Sequence, residues 1–112
     1  MRVDQLLAGF AEGDAISNAA RCLQAALRRM GCASEIYADA ARIAPAVRAQ
    51  CRALAEYAGG PGDAVLYHYA ITSPATPVFL GAAARKVLVY HNITPAEFFA
   101  GFDDGLVDQL TA

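Results

Sequence analysis

Charge is scarce in this chain. Only 18% of its 112 residues are Asp, Glu, Lys or Arg, and the net charge is −2. That balance excludes bulk attraction to nucleic acid or to an anionic membrane. Cysteines are few, at positions 22, 32 and 51. The count is odd and no pair has CxxC spacing, so neither a disulfide framework nor a structural zinc site is expected. Three reduced thiols suit a cytosolic protein. Long apolar runs are missing too: nothing approaches the ~20 residues of a membrane span. Near the N-terminus, Leu6-Leu7-Ala8-Gly9-Phe10 gives way at once to Glu12 and Asp14. A signal-peptide core needs ~7–15 apolar residues behind a basic start. The expectation is a cytoplasmic, unprocessed protein. The chain also has no internal repeat, no low-complexity tract and no GxGxxG loop.

What is present is apolar. Hydrophobic residues make up 56% of the chain, largely as alanine. The length suits a single domain over residues 1–112, with enough chain to bury a core and little to spare. A strand is expected over residues 3–7 and a loop over 9–14. A helix follows from about Ser17 to Met30, because Ile16, Ala20, Leu23, Leu27 and Met30 recur at helical spacing. Asp14 or Ser17 can cap its start, and Arg28, Arg29 and Gly31 suit its end. A second strand is read at residues 35–38. Pro45 opens a second helix carrying Val47, Cys51, Leu54 and Ala58 inward, and Gly59-Gly60-Pro61-Gly62 breaks it. The third strand is Ala64 to His68. Pro77 starts a short helix through Val78, Phe79 and Leu80, and the fourth strand is Lys86 to Tyr90. Thr94-Pro95-Ala96-Glu97 combines an N-cap, a first-position proline and a capping glutamate. A turn follows at residues 101–105, then an amphipathic segment at 106–110. Alternating strands and helices predict an α/β fold: a Rossmann-like parallel sheet of about four strands, helices on both faces, the first and third strands central.

Two of these strands run straight into a histidine. Ala64-Val-Leu-Tyr-His68-Tyr69 is one, and Val87-Leu-Val-Tyr-His91-Asn92 is the other. Ligands of open parallel sheets bind outside the carboxyl ends of the strands, so His68 and His91 mark a candidate site. His91 is the leading candidate for chemistry, with Asn92 and Thr94 as polar edges beside it. His68 with Ser73 forms a second candidate contact. The competing readings are plain: His91 packed on Tyr90, and His68 as an internally satisfied ring. The loop Gly13-Asp14-Ala15-Ile16-Ser17-Asn18 precedes the first helix, whose free N–H groups suit a phosphate; ordinary capping by Asp14 and Ser17 is the alternative. No metal or cofactor is expected, since no carboxylate stands beside either histidine in sequence.

Five segments occur in a recognisable order: Gln5-Leu6-Leu7, Gly13-Asp14-Ala15-Ile16-Ser17-Asn18, Ser34-Glu35-Ile36-Tyr37-Ala38, Tyr67-His68-Tyr69 and Tyr90-His91-Asn92-Ile93-Thr94-Pro95. The series resembles the N-terminal domain of retaining group 1 glycosyltransferases, enzymes with two Rossmann-like domains facing across a cleft. It departs from the family pattern at Asp4, Ala70 and Thr72, where histidine, serine and glycine are expected. The resemblance implies an acceptor-side domain in polysaccharide biosynthesis. Its partners would be a nucleotide-sugar donor and a hydroxyl acceptor once a second domain completes the cleft. It also implies peripheral membrane association of the full enzyme. The family's donor domain, with its paired glutamates, has no counterpart in these residues, so the chain reads as inactive alone. Gly13, Asp14, Ser17 and Asn18 would lie against the donor diphosphate and acceptor, and His91 near the transferred sugar. A different class of function is a non-enzymatic α/β module that binds a partner or forms homo-oligomers through exposed apolar edges. A receiver-like or flavin-binding domain is disfavoured by the lack of an acidic cluster or a Ser/Thr-rich loop after the first strand.

Overall fold

The structure, a computed structural model, describes residues 1–91. The sheet is built from β1 (Val3–Leu7), β2 (Ile36–Ala38), β3 (Arg52–Ala53), β4 (Ala64–Tyr69) and β5 (Arg85–Tyr90). Its order is β3-β2-β1-β4-β5, and every pair is parallel. This is an α/β fold with a Rossmann-like sheet, as the alternating pattern predicts, and β1 occupies its centre with β4 beside it. The sheet has one strand more than expected.

Helix α1 (Ala15–Arg29) begins because Asp14 holds extended geometry and its side chain accepts from the Ser17 N–H. It ends where Gly31 takes φ +89°, a conformation that costs glycine little. The helix packs on one face of the sheet. There Leu7, Phe10, Ala20, Ile36, Ala38, Ile43, Val47 and Cys51 form one buried cluster. The short helix α2 (Ala75–Leu80) packs on the other face. There Leu6, Tyr37, Leu54, Val65, Tyr67 and Phe79 form the second. Alternation along the strands assigns the faces: Gln5 and Leu7 point one way, Leu6 the other. Each large side chain removed from water contributes about 1.5–3 kcal/mol.

Two elements differ from expectation. Residues 45–58 do not form a single helix. The chain makes 3-10 turns at Pro45–Gln50 and Leu54–Glu56, with β3 between them pairing to β2. Val47 and Cys51 are buried on the α1 face but Leu54 is buried on the α2 face, while Ala58 is exposed. The segment must carry the chain around the sheet edge, and an unbroken helix stays on one face. β5 also departs from a doubly covered strand: Val87, Leu88 and Tyr90 are all exposed. The expected helix from Thr94, the turn at residues 101–105 and the amphipathic segment 106–110 lie outside the described residues. Among the described residues, no helix is long and apolar enough to cross a membrane.

Candidate functional site

The site lies at the carboxyl ends of β1, β4 and β5. A cleft of about 240 Å³ opens where β1 and β4 diverge into their loops, the reversal point of a doubly wound sheet. Its lining is mostly apolar, with Phe10, Ile16 and Ile71 supplying much of the wall; Asp14, Arg42 and His68 are its polar members. Backbone pairing stiffens one side, because the Phe10 N–H donates to Arg42 O at 3.0 Å and the Ala44 N–H to Phe10 O at 2.9 Å. Gly9 belongs here for a steric reason: a Cβ on it would sit 3.0 Å from the Arg42 carbonyl oxygen.

The two histidines meet. β4 and β5 pair in register, with His68 opposite Val89 and Tyr69 opposite Tyr90. The His91 N–H then donates to Tyr69 O at 2.8 Å, continuing the ladder. His68 Nδ1 lies 2.7 Å from His91 Nε2. The ring planes differ by 29° with centroids 5.0 Å apart, so the rings meet nitrogen to nitrogen, edge to edge. On its other side, His68 Nε2 lies 2.7 Å from Gln5 Oε1, and Gln5 Nε2 donates to Ala20 O at 3.0 Å. Gln5 is fully buried and His68 nearly so, at 4% exposed; His91 is half-buried. Burial, then the neighbouring His91, pushes the His68 ring down to about 4, so it is neutral at physiological pH.

The protons in this chain are assigned by elimination. A backbone carbonyl only accepts, so the Gln5 amide turns its nitrogen to Ala20 and its oxygen to His68. His68 Nε2 must then carry the proton. In a neutral ring that leaves a lone pair on Nδ1, so His91 Nε2 is the donor between the rings.

Of the other expected site residues, Asp14, Ser17 and Ser73 have side chains engaged within the fold, while Gly13 and Asn18 stay exposed. Ser17 is fully buried; its hydroxyl donates to Asp14 Oδ2 at 2.8 Å and accepts from the Ala11 N–H at 3.1 Å. The Asp14 carboxylate also takes the Ser17 N–H at 2.9 Å, placing negative charge at the very helix end proposed for phosphate. Gly13 holds φ +79° in the exposed turn before it. The exposed Asn18 uses its N–H on Asp14 O. Ser73 is not beside His68. It lies on the opposite face, 3.2 Å from Tyr67 Oη, where its Oγ accepts from the Ala75 N–H at the start of α2. Asn92 and Thr94 lie outside the described residues. Asp4 is buried on the α2 face, binding Arg2 Nη1 at 2.9 Å and the Glu35 N–H at 3.0 Å. Burial pushes its carboxyl up against both contacts. It anchors β2 and takes no part in the histidine pair.

Gln5 is the residue that sequence reasoning passed over. The available signal was an amide inside a buried strand, on the same face as Leu7, where a buried polar group needs partners. A larger open groove of about 690 Å³ runs between α1 and β3, lined by Arg28, Glu35, Arg48 and Arg52 among others. Glu35 already pairs with Arg28 and Arg52, each at 3.6 Å, and the groove borders the sheet's edge rather than the strand ends where the histidines meet. No cluster of three or more metal-ligating side chains occurs among the described residues. Comparison with protein families, with curated proteins and with solved structures found no match.

Proposed function

We propose that this chain is the acceptor-side domain of a glycosyltransferase, which moves a sugar from a nucleotide-sugar to a hydroxyl acceptor once a donor-binding domain faces it. The observation that carries the reading is the joined pair His68–His91 at the carboxyl ends of β4 and β5. His91, half-buried and with one ring nitrogen committed to His68, is the group that would touch the reacting sugar. The cleft beside His68 would hold an apolar part of the acceptor. The ordered motifs and the parallel sheet support the same reading. Catalysis would rest on positioning and on electrostatic stabilisation of the leaving diphosphate. One lip of a cleft cannot enclose a donor or exclude water, so the chain alone should bind weakly and turn nothing over. The free cysteines support a cytoplasmic setting.

Calorimetric titration of a panel of nucleotide sugars and simple glycosides tests this. Binding by the wild-type chain, reduced at least tenfold in a folded His91→Ala variant, is expected. Turnover by the chain alone, or binding indifferent to His91, would overturn the assignment. A second reading has its own observation. Val87, Leu88 and Tyr90 leave β5 exposed and apolar at the sheet edge, which suits a module that pairs with a second copy of itself.

A further inference from the structure

We infer that Gln5 is a positioning residue that sets the polarity of the histidine pair, so that the uncharged His91 ring offers a lone pair at Nδ1 and takes a hydroxyl, not an anionic oxygen. The inference deepens the sugar-transfer reading and rests on it only in naming the hydroxyl as that of a sugar.

The chain of hydrogen bonds starts at a group that cannot donate, the Ala20 carbonyl, so it runs in one direction. Reversing it would set two lone pairs face to face. If His68 moved its proton to Nδ1, its bare Nε2 would face Gln5 Oε1 at 2.7 Å. If the amide also flipped, Oε1 would face the Ala20 oxygen at 3.0 Å. Gln5 has no exposed surface and His68 almost none, so water cannot step in to relieve either clash. A doubly protonated His68 would also break the order, but burial keeps that ring neutral down to about 4. The charged side chains on the adjoining cleft wall are Asp14 and Arg42, and Asp14 is engaged by Ser17.

With its Nε2–H directed at His68, neutral His91 has a lone pair left on Nδ1, and among the described residues that nitrogen has no hydrogen-bond partner. A lone pair attracts an O–H and repels a phosphate oxygen. Of the contacts open to an imidazole at this position, a sugar hydroxyl is therefore the one it accepts. A glutamine is suited to the task because it is neutral and carries one donor and one acceptor end. A carboxylate in its place would draw a proton onto His68 and reverse the order.

Histidine-selective 15N NMR on the full chain at pH 7.5 tests the assignment without any ligand. Both rings should carry their proton on Nε2. Protonation of His91 on Nδ1 would overturn the role of Gln5. Gln5→Met, which keeps length and removes both polar ends, should shift both rings toward mixed tautomers; unchanged rings in that variant would equally overturn it. A variant that fails to fold leaves the wild-type spectrum as the decisive result. Titration with uncharged methyl glucoside, and separately with inorganic phosphate, tests the ligand. Shifts of the His91 ring nitrogens with the glucoside alone are expected. A response to phosphate alone, or to neither probe, would overturn the hydroxyl assignment. The last result would also count against sugar transfer, whereas a wrong tautomer would leave that reading standing.

Discussion

Acidification from pH 7 to pH 5 should weaken the fold by about 2 kcal/mol through one side chain, His68. In the folded chain burial holds this ring down to about 4, against 6.5 for a free histidine. Between those values the unfolded chain binds a proton that the folded chain refuses. The stabilising effect is therefore complete above pH 6.5 and drains away as the pH falls toward 4. The whole gap corresponds to about 3 kcal/mol, and about two thirds of it is gone by pH 5. Typical domains have about 5–15 kcal/mol in total, so the change is readily measured. Asp4 works the other way, because burial pushes its carboxyl up and the folded state takes its proton early. A difference experiment removes that contribution. Urea unfolding of the wild type and of His68→Gln, each at pH 7 and pH 5, should show the wild type losing about 2 kcal/mol more than the variant. Equal losses would refute the reasoning. So would an NMR titration in which His68 takes its proton near pH 6.5 in the folded wild type.

Three further outcomes follow from single contacts. Asp14→Ala removes the acceptor for both the Ser17 N–H and the Ser17 hydroxyl, and should lower stability by about 1 kcal/mol in urea, as the loss of an N-cap does. Tyr67→Phe deletes the hydroxyl that joins β4 to Thr76 at 2.7 Å and to Ser73 at 3.2 Å. It should cost about 1 kcal/mol and speed amide exchange in α2 while leaving α1 unchanged. Leu88→Lys, at a position 56% exposed on β5, should reduce any self-association seen by light scattering without moving the unfolding midpoint.

The local features were legible because their causes are local. β1, α1 and β4 lie within a residue or two of their expected bounds, since apolar spacing, the Asp14 cap and the left-handed Gly31 act over a few positions. The parallel sheet was also legible, because alternating strands and helices leave few other arrangements, whereas its strand order was set by tertiary pairing. Residues 45–58 were not. Val47, Cys51 and Leu54 keep helical spacing, but the edge of β2 recruits Arg52 and Ala53 into the sheet, and pairing with a distant strand outweighs local preference.

At the site the division is sharper. Sequence alone identified His68 and His91 as strand-end residues, because an apolar run ending in a polar group marks where a buried strand emerges. That the two rings share a hydrogen bond depends on the register of β4 against β5. That Gln5 governs them depends on β1 lying beside β4, across 63 residues of chain. That Ser73 is turned away depends on which side of the sheet α2 covers. Hydrogen bonds reach about 3 Å, so a proton's position in this chain is decided by which strands become neighbours, and only the folded sheet decides that.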